Sequence, residues 1–328
     1  MSQKQLREGS WQLLQLLDQA PGLAAMAGTL ADMADKGHPV VAGTADLKYS
    51  NGLVRFEERH PGRLVQFGIS EQNMVTAAAG MATVGLRPYV ATFASFLALL
   101  CCEQIRTDVA YTGLPVRLIG HHSGITLGFY GTSHHATEDL AIMRSIADLA
   151  VVAPADTASL SAALWATVDH DGPIYFRIGR GRDPEVYSMA DVEFELGKAI
   201  VHSRGQDLTL IATGSMVHPS SEAVQTLRSE GWSVGLIDMH TIKPLDKEAI
   251  LEAVGNSAAV MTVEEHNVLG GLGGAVGEVL AEAGAGKLLH CHGIRDEYSL
   301  IGPPTHLYRH YRLDSEGIAQ EAREFLGR

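Results

Sequence analysis

Short apolar runs alternate along this chain with segments that carry apolar residues at helical spacing. Residues 64–67 form one such run, a turn follows at Gly68, and a helix rich in small residues is predicted over residues 73–84. Gly85 ends this helix, and a second apolar run covers residues 89–93. Because the strand–helix–strand order is repeated, it predicts a mostly parallel sheet with right-handed crossovers.

The same pattern extends along the chain. Helices are predicted at residues 11–19, 23–33, 97–112, 137–145 and 154–169, and strands at residues 39–42, 114–120, 150–153 and 174–178. A polar segment at residues 183–191 indicates a linker. Strands at residues 208–212, 233–238 and 259–263 then alternate with helices again. This order predicts an α/β protein of two three-layer α/β domains with mostly parallel sheets, at residues 1–187 and 188–328.

The chain has 328 residues, of which 46% are hydrophobic, and a formal net charge of −13. A generally acidic surface disfavours binding to nucleic acids and to anionic membranes. No stretch approaches the roughly 20 apolar residues of a membrane span, and the N-terminus lacks the apolar core of a signal peptide. Cys101, Cys102 and Cys291 suggest no disulfide framework, so we expect a cytoplasmic protein.

Ser70 and Glu71 lie where the strand at residues 64–67 gives way to the predicted helix. Ser70 is a candidate N-cap. An acid in the first turn complements the helix dipole, and this alone would explain Glu71. Ligands of open α/β sheets bind at the carboxyl ends of the strands, however, so Glu71 is also placed to contact a ligand.

The ordered motifs around Glu71 favour the second interpretation, that Glu71 contacts a ligand. G-I-S-E-Q-N-M, the small-residue helix, G-L-R-P-Y and T-F-A-S-F together resemble the pyrimidine-binding domain of the transketolase family of thiamine diphosphate enzymes. The resemblance implies that Glu71 is catalytic and bonds N1′ of the cofactor's aminopyrimidine, and that Phe93 and Phe96 flank this ring. Asp46, in G-T-A-D-L, matches a family residue that lies next to the cofactor.

A loop after the strand at residues 114–120 holds His121, His122, His134 and His135. Zinc is the obvious competing ligand. Adjacent pairs seldom bind one metal well, and no cysteine or carboxylate completes the set, so we predict no metal site in this chain. The loop also resembles a family pattern. This match implies that His122 lies near the donor's phosphate, and that His134 bonds the substrate oxygen and is catalytic in proton transfer.

Other residues match substrate-binding positions of the family. Arg180 follows the strand at residues 174–178 and matches an arginine that binds the substrate phosphate, for which a planar guanidinium is well suited. The resemblance implies that Ser50 contributes to the same pocket. We expect Arg177 and Arg182 to add a positive field.

Tyr130 departs from the family pattern while occupying a substrate-binding position. It replaces the aspartate of a G-x-D-G segment, which contacts a hydroxyl of the sugar. The loss of this carboxylate disfavours ordinary pentose-phosphate donors. It favours a specialised donor such as apulose 4-phosphate. The family's S-R-K-A segment, which supplies another phosphate-binding arginine, has no clear match near residues 23–27, so a sulfonate in place of the phosphate also stays open.

The second half carries V-E-E-H-N-V-L-G-G-L-G, which resembles the C-terminal domain of the same family. Glu264, Glu265 and His266 invite a metal hypothesis, but consecutive side chains on an extended chain point in divergent directions. The family's diphosphate-binding domain, with its GDG…N metal motif, has no counterpart in this chain. The resemblance therefore implies a split transketolase in which an N-terminal subunit holds most of the Mg²⁺ site, in an α2β2 heterotetramer.

The leading hypothesis is a thiamine diphosphate-dependent subunit that moves a two-carbon ketol unit between sugar phosphates, active only with its N-terminal partner. Three alternatives stay open. A deoxyxylulose-phosphate synthase-like enzyme is disfavoured because that family has arginine where this chain has Leu99 and His122. The β subunit of a 2-oxo acid dehydrogenase fits the histidine loop less well. A non-catalytic assembly subunit is disfavoured by the intact Glu71, Phe96 and His134.

Overall fold

The computed structural model describes residues 21–327. The helix predicted at residues 11–19 lies outside this range. Within this range, the mostly parallel strands form two sheets, and helices alternate with the strands along the chain, so the predicted α/β class is confirmed. No helix in the described range is both long and apolar enough to cross a membrane.

The first sheet, within residues 21–327, has seven strands in the order β10-β5-β6-β4-β3-β1-β2. Its first six strands along the chain run parallel. They are β1 (Val40–Thr44), β2 (Leu64–Gln66), β3 (Arg87–Phe93), β4 (Arg117–His121), β5 (Ala150–Val152) and β6 (Ile174–Arg177). The α-helices of this part are α1 (Pro21–Asp35), α2 (Val54–Arg59), α3 (Glu71–Thr83), α4 (Asp139–Ser145) and α5 (Thr157–Ala166). Because parallel strands end at one edge, the loops that follow them meet there.

The second sheet of the described chain has five strands in the order β12-β11-β8-β9-β7. Its strands are β7 (Ile200–Ser203), β8 (Leu208–Ala212), β9 (Val234–Asp238), β11 (Ala259–Asn267) and β12 (Leu288–Ile294). Only β7, at one side, pairs antiparallel among these described strands. The accompanying helices are α6 (Val217–Ser229), α7 (Lys247–Asn256), α8 (Leu272–Glu282), α9 (Pro304–His310) and α10 (Ser315–Leu326).

Strand β10 (Thr241–Lys243) links the two parts of the chain. It follows β9 in sequence but pairs antiparallel with β5 of the first sheet. This strand has one apolar residue, Ile242, between two polar ones, so the apolar pattern did not predict it. Chain beyond the predicted linker thus returns to the first sheet, and the division at residue 187/188 stays a prediction.

Alternate residues along the strands face different cores. On one side of the first sheet, Ile119 packs in a cluster with Leu30 of α1. On the other side, Leu118 belongs to a cluster that also contains Val260 of the second sheet. One apolar layer is therefore shared by both sheets, which fixes the loops of one sheet against those of the other.

Helix α3 packs close to the first sheet because the residues on its inner face include Ala78, Ala79 and Ala82, all buried. Gly85 has a φ of 84° and ends the helix as predicted. Ser70 occupies the N-cap position, but its hydroxyl donates to the Phe67 carbonyl at 2.8 Å. The predicted side-chain cap is therefore not formed.

The segment predicted as a helix at residues 97–112 is helical but irregular. Two wide π-type turns, Phe96–Leu100 and Ile105–Ala110, flank the short α-helical turn Cys102–Gln104. Turns of this type are rare and are frequent at functional sites. Here the first of them begins at Phe96, whose ring lies 5.3 Å from that of Phe93.

Candidate active site

Most of the predicted site residues lie at the carboxyl edge of the first sheet. Glu71 opens α3 after β2, Phe93 ends β3, His121 ends β4 and Arg180 follows β6. Strands β3, β4 and β6 are neighbours, and Phe93 is paired with His121 in the β3–β4 register. The sheet therefore brings together residues that are far apart in the sequence.

Glu71 is 8% exposed at the start of α3. The Thr92 hydroxyl donates to its Oε1 at 3.5 Å, which is long for this type of bond. Burial, and to a smaller extent the Glu71 charge, raises the pKa of the nearby Cys101 thiol to about 12. Cys101 therefore stays protonated and packs in the core, whereas the Glu71 carboxylate keeps capacity to accept a hydrogen bond from a ligand.

Five rings form what we call the ring cluster: Phe93, Phe96, His121, His122 and His134. Phe93 lies at its centre, and the centroids of its neighbours are 5.3, 5.1, 5.2 and 5.3 Å away in that order. All four contacts with Phe93 are edge-to-face, an arrangement that aromatic pairs favour. The cluster offers an apolar wall, with imidazole nitrogens along it, beside Glu71.

His121 and His122 share one hydrogen bond, with 2.7 Å between their Nδ1 atoms. Burial holds the pKa of His121 well below its ordinary value, with a smaller contribution from His122. Burial, Arg180 and His134 together lower the pKa of His122 to about 3. Both rings are thus neutral at pH 7. Within the described chain, the buried His121 Nε2 has no hydrogen-bond partner, an arrangement that is unusual unless a ligand completes it.

His134 is half-buried, and desolvation lowers its pKa from the ordinary value. Its Nδ1 lies 2.9 Å from the Ser133 hydroxyl, and the Tyr130 ring lies 4.8 Å from its own ring. A neutral imidazole can donate from one nitrogen and accept at the other. Tyr130 is 56% exposed, so the predicted pair of substrate residues is adjacent and open to solvent.

Asp46, Ser50 and Arg180 lie around this centre. Asp46 is exposed with a φ of 61°, and its N–H donates to the Gln66 side chain at 2.6 Å. Ser50 is half-buried in the turn after β1. No hydrogen bond among the described residues joins Asp46 or Ser50 to the ring cluster. Arg180 is exposed and lines a cleft of about 610 Å³, together with Tyr308 of α9.

Arg177 does not supply an uncompensated positive charge to this edge, contrary to expectation. It is 3% exposed, and its Nε donates to Asp139 at 2.9 Å. Its Nη2 donates to the carbonyls of Glu265 at 2.8 Å and Ala136 at 3.2 Å. A buried arginine requires such partners. The position of Arg177 at the end of an apolar strand was therefore a signal of a buried ion pair, and sequence reasoning missed it.

Glu265 is the second residue whose role was missed. Its carboxylate is buried and accepts hydrogen bonds from the Ile125 N–H at 2.8 Å, the Tyr308 hydroxyl at 2.7 Å and the Ser215 hydroxyl at 2.8 Å. We call Asp139, Arg177 and Glu265 the inter-sheet network, because they tie β6, α4 and β11 together. Through Ile125 and Ala136 the network holds both ends of the histidine loop.

The Glu264 side chain points away from that of Glu265, as expected for consecutive residues of a strand. It accepts from the Leu272 and Gly273 N–H groups at the start of α8, at 2.7 and 2.8 Å. Within residues 21–327, one group of side chains could hold a metal ion, and it consists of His290, His292 and Glu321 on the second sheet. The loop histidines and the Glu264–His266 segment are not part of it.

Large apolar side chains are exposed close to the site. Ile69, which is 84% exposed, lies two residues before Glu71, and Leu100 lies beside α3, since its carbonyl accepts from Gln72 at 3.0 Å. Phe129, in the histidine loop, and Ile301, whose side chain lies next to Gly131, are each 68% exposed. Exposed apolar groups around a site indicate a surface that another protein chain covers.

Two family profiles match most of the chain. The profile described as the transketolase pyrimidine-binding domain matches residues 21–184, and the one described as the transketolase C-terminal domain matches residues 197–318.

Named relatives match over nearly their full length. The 6-deoxy-6-sulfo-D-fructose transketolase subunit of Clostridium sp. (strain MSTE9) is 37% identical over 91% of this chain and 92% of its own. A subunit of the apulose-4-phosphate transketolase of Phocaeicola vulgatus is 37% identical over 91% of this chain and 95% of its own. A solved structure, described as a split gene transketolase, inactive β4 tetramer, has a TM-score of 0.84 at 35% identity and covers 93% of this chain and 98% of its own.

Proposed function

Because this chain belongs to the transketolase family, we propose that it is the C-terminal subunit of a split transketolase. As a transferase, it moves a two-carbon ketol unit between sugar phosphates. The observation that carries the proposal is Glu71, a nearly buried carboxylate with spare acceptor capacity beside the ring cluster. The relatives named as transketolase subunits cover about the same length of chain, which supports the split arrangement.

Thiamine diphosphate supplies, when bound, the nucleophilic carbon and the electron sink that ketol transfer needs. The residues at the edge of the first sheet fit its aminopyrimidine. Glu71 can accept a hydrogen bond from a ring nitrogen, Phe93 and Phe96 offer aromatic faces and edges, and Asp46 lies at the end of the adjacent strand β1. The described side chains that could hold a metal ion, His290, His292 and Glu321, lie on the other sheet, so we assign the diphosphate and Mg²⁺ to the partner subunit.

The partner is an N-terminal subunit in an α2β2 assembly. The exposed Ile69, Leu100, Phe129 and Ile301 support this part of the proposal, because they surround the site and favour burial by a second chain. The similar solved structure, which is described as an inactive β4 tetramer of a split gene transketolase, is a further support.

The substrate lies against the histidine loop. His134 accepts or donates the proton at the substrate's carbonyl or hydroxyl oxygen, since its neutral ring has one donor and one acceptor nitrogen. Arg180 binds the anionic group of the sugar, and His122 and Ser50 contribute to the same pocket. The charge of Arg180 is already felt by His122, because it lowers the pKa of that ring.

The donor is a specialised sugar, and Tyr130 selects it. Relatives named for a sulfonated fructose and for apulose 4-phosphate are equally similar to this chain, at 37% identity, so similarity does not distinguish the two anionic groups. The division of the chain at residue 187/188 and a cytoplasmic location are further parts of this proposal. The three free cysteines support a reducing compartment.

Reconstitution tests the proposal. The purified chain with thiamine diphosphate and Mg²⁺ is assayed for ketol transfer alone, and then after addition of a separately expressed N-terminal subunit that carries the GDG…N motif. We expect negligible turnover by the chain alone and recovery at equimolar partner. Full turnover by the isolated chain would exclude the split arrangement. Full activity of the mixture with Glu71→Ala would instead favour the non-catalytic assembly subunit.

A further inference from the structure

Strand β12 carries two histidines on one face. His290 and His292 are two residues apart, so their side chains project to the same side of the strand. Helix α10 covers this side, because Phe325 stacks on His290 with 5.1 Å between the ring centroids. Glu321 of the same helix reaches His290, with 3.2 Å between its Oε2 and the His290 Nε2. Two imidazoles and one carboxylate therefore converge between an outer strand of the second sheet and helix α10.

His292 is set up as a metal ligand rather than as a simple core residue. It is 2% exposed, and its Nε2 lies 2.7 Å from the Arg312 carbonyl. A carbonyl only accepts, so Nε2 carries the proton and Nδ1 carries the lone pair. Among the described residues, the buried Nδ1 has no hydrogen-bond partner. A backbone carbonyl that orients one nitrogen while the other is left for a cation is the usual arrangement of metal-binding histidines.

The separations suit a small cation. One ligand atom from each of His290, His292 and Glu321 lies within 4.8 Å of the other two. Bonds of 2.0–2.2 Å in tetrahedral geometry put ligand atoms about 3.3–3.6 Å apart, slightly more than the 3.2 Å between His290 Nε2 and Glu321 Oε2. The widest separation among the three ligand atoms, up to 4.8 Å, exceeds this range, so the side chains draw together when the ion binds.

Charge near the cluster is compatible with a cation. Arg312 donates to Glu321 Oε1 and to Glu324, each at 2.9 Å, which leaves Glu321 Oε2 on the side of the histidines. Arg295 also acts on His292, so the carboxylates of Glu321 and Glu324 balance the charges of Arg312 and Arg295.

We propose that His290, His292 and Glu321 bind one Zn²⁺ ion that clamps helix α10 to strand β12. Two imidazoles and a carboxylate are ligands that Zn²⁺ favours, and water completes the fourth position. The site lies on the second sheet, apart from the proposed active site at the edge of the first. It would tie the last helix of the described chain to the sheet, because an ion bound only by the folded form stabilises that form.

Zinc titration of the full chain, free of any affinity tag and treated with chelator, tests this site. The measurement is isothermal calorimetry without thiamine diphosphate, Mg²⁺ or partner, so its result is independent of the proposed function. We expect one zinc per chain and a higher Tm with zinc than without it. His290→Gln and Glu321→Gln should each weaken binding by at least about tenfold, and the double variant should abolish both effects.

His306→Gln is the matched control, since His306 is exposed on helix α9 and outside the cluster. It should bind zinc as the wild type does. The half-buried His290 and Glu321 are changed rather than the buried His292, so that the variants fold. The proposal is wrong if the wild type binds no zinc, or if the double variant binds zinc as tightly as the wild type.

Discussion

The His121–His122 pair of the ring cluster and the inter-sheet network are two buried polar groups with opposite degrees of completion. In the network, Arg177 meets Asp139 and two carbonyls, and the Glu265 carboxylate accepts three hydrogen bonds. In the ring cluster, His121 Nε2 has no partner in the described chain. A completed network stabilises one arrangement of the chain, whereas an incomplete one has room for a ligand.

The two groups are also connected. The network binds the histidine loop at Ile125 and at Ala136, and these ends are bridged through Gly124. Gly124 has a φ of 58°, and a Cβ there would lie 2.2 Å from the Glu265 carboxyl carbon, so only glycine allows this contact. The comparison of the two groups teaches that the second sheet holds the histidine loop in place, although the proposed catalytic residues all come from the first half of the chain.

The largest expected effect distinguishes a catalytic role of Glu71 from a structural one. Glu71→Gln keeps the shape of the side chain but cannot exchange a proton, so we expect the exchange of deuterium at C2 of the bound cofactor to slow by about 10²- to 10⁴-fold in the assembled enzyme. The Tm should stay at the wild-type value. Glu103→Gln, at an exposed acid of the neighbouring helical segment, is the control. An unchanged exchange rate would remove Glu71 from the catalytic set.

For the inter-sheet network we expect a loss of stability instead. Arg177→Met leaves Asp139 buried without its cation, and breaking such a pair costs about 3–5 kcal/mol of the free energy of unfolding. Arg106→Met is the control, because its pair with Glu103 is exposed and contributes about 1 kcal/mol at most. Urea denaturation at pH 7 measures both. Equal losses in the two variants would show that the network is not a scaffold.

A smaller effect is expected for the choice of donor. Tyr130→Asp restores the acid expected from the family pattern, and a charged hydrogen bond contributes roughly 1.5–3 kcal/mol. We therefore expect kcat/KM for xylulose 5-phosphate, relative to the preferred donor, to rise by about 10- to 150-fold. Tyr130→Phe keeps the ring beside His134 and should leave the ranking unaltered. If wild type already prefers xylulose 5-phosphate, and Tyr130→Asp changes nothing, Tyr130 does not set specificity.

The last prediction concerns stability at acid pH. The folded-state pKa of His122 is about 3, below the ordinary 6.5, so the unfolded chain takes up a proton that the folded chain does not. The stabilisation by the neutral ring is complete above pH 6.5 and is lost as the pH falls toward 3. His122→Asn removes this contribution, and asparagine tolerates the φ of 56°.

The free energy of unfolding, measured by urea at several pH values, checks this prediction. In His122→Asn, its dependence on pH between 6.5 and 3 should be shallower by up to about 1.4 kcal/mol per pH unit. His306→Asn, at an exposed position, should keep the wild-type dependence. An equal slope in wild type and His122→Asn would contradict the neutral, buried state of His122.

Sequence reasoning predicted most elements of the first sheet and the central strands of the second. Helix α3 and strands β3, β4 and β6 were predicted within a few residues of their observed bounds. Edge strands β7 and β10 and the short helix α2 were not predicted, because each has three to six residues and little periodicity. Strand β12 and helices α7, α9 and α10 were not predicted either, although β12 has seven residues and α10 has twelve. The motifs around Glu71 also identified the family, which the comparisons confirm.

The sequence by itself determined the α/β class, the family and the residues that follow each strand, because these depend on local periodicity and on motifs of contiguous residues. Only the tertiary structure decided which buried charges meet. Arg177 was expected at the substrate edge and instead binds Asp139, while Glu265 reaches Ile125. His292 meets Glu321 across a strand and a helix. Such pairs depend on how the elements pack against one another, and no local pattern of the sequence carries that information.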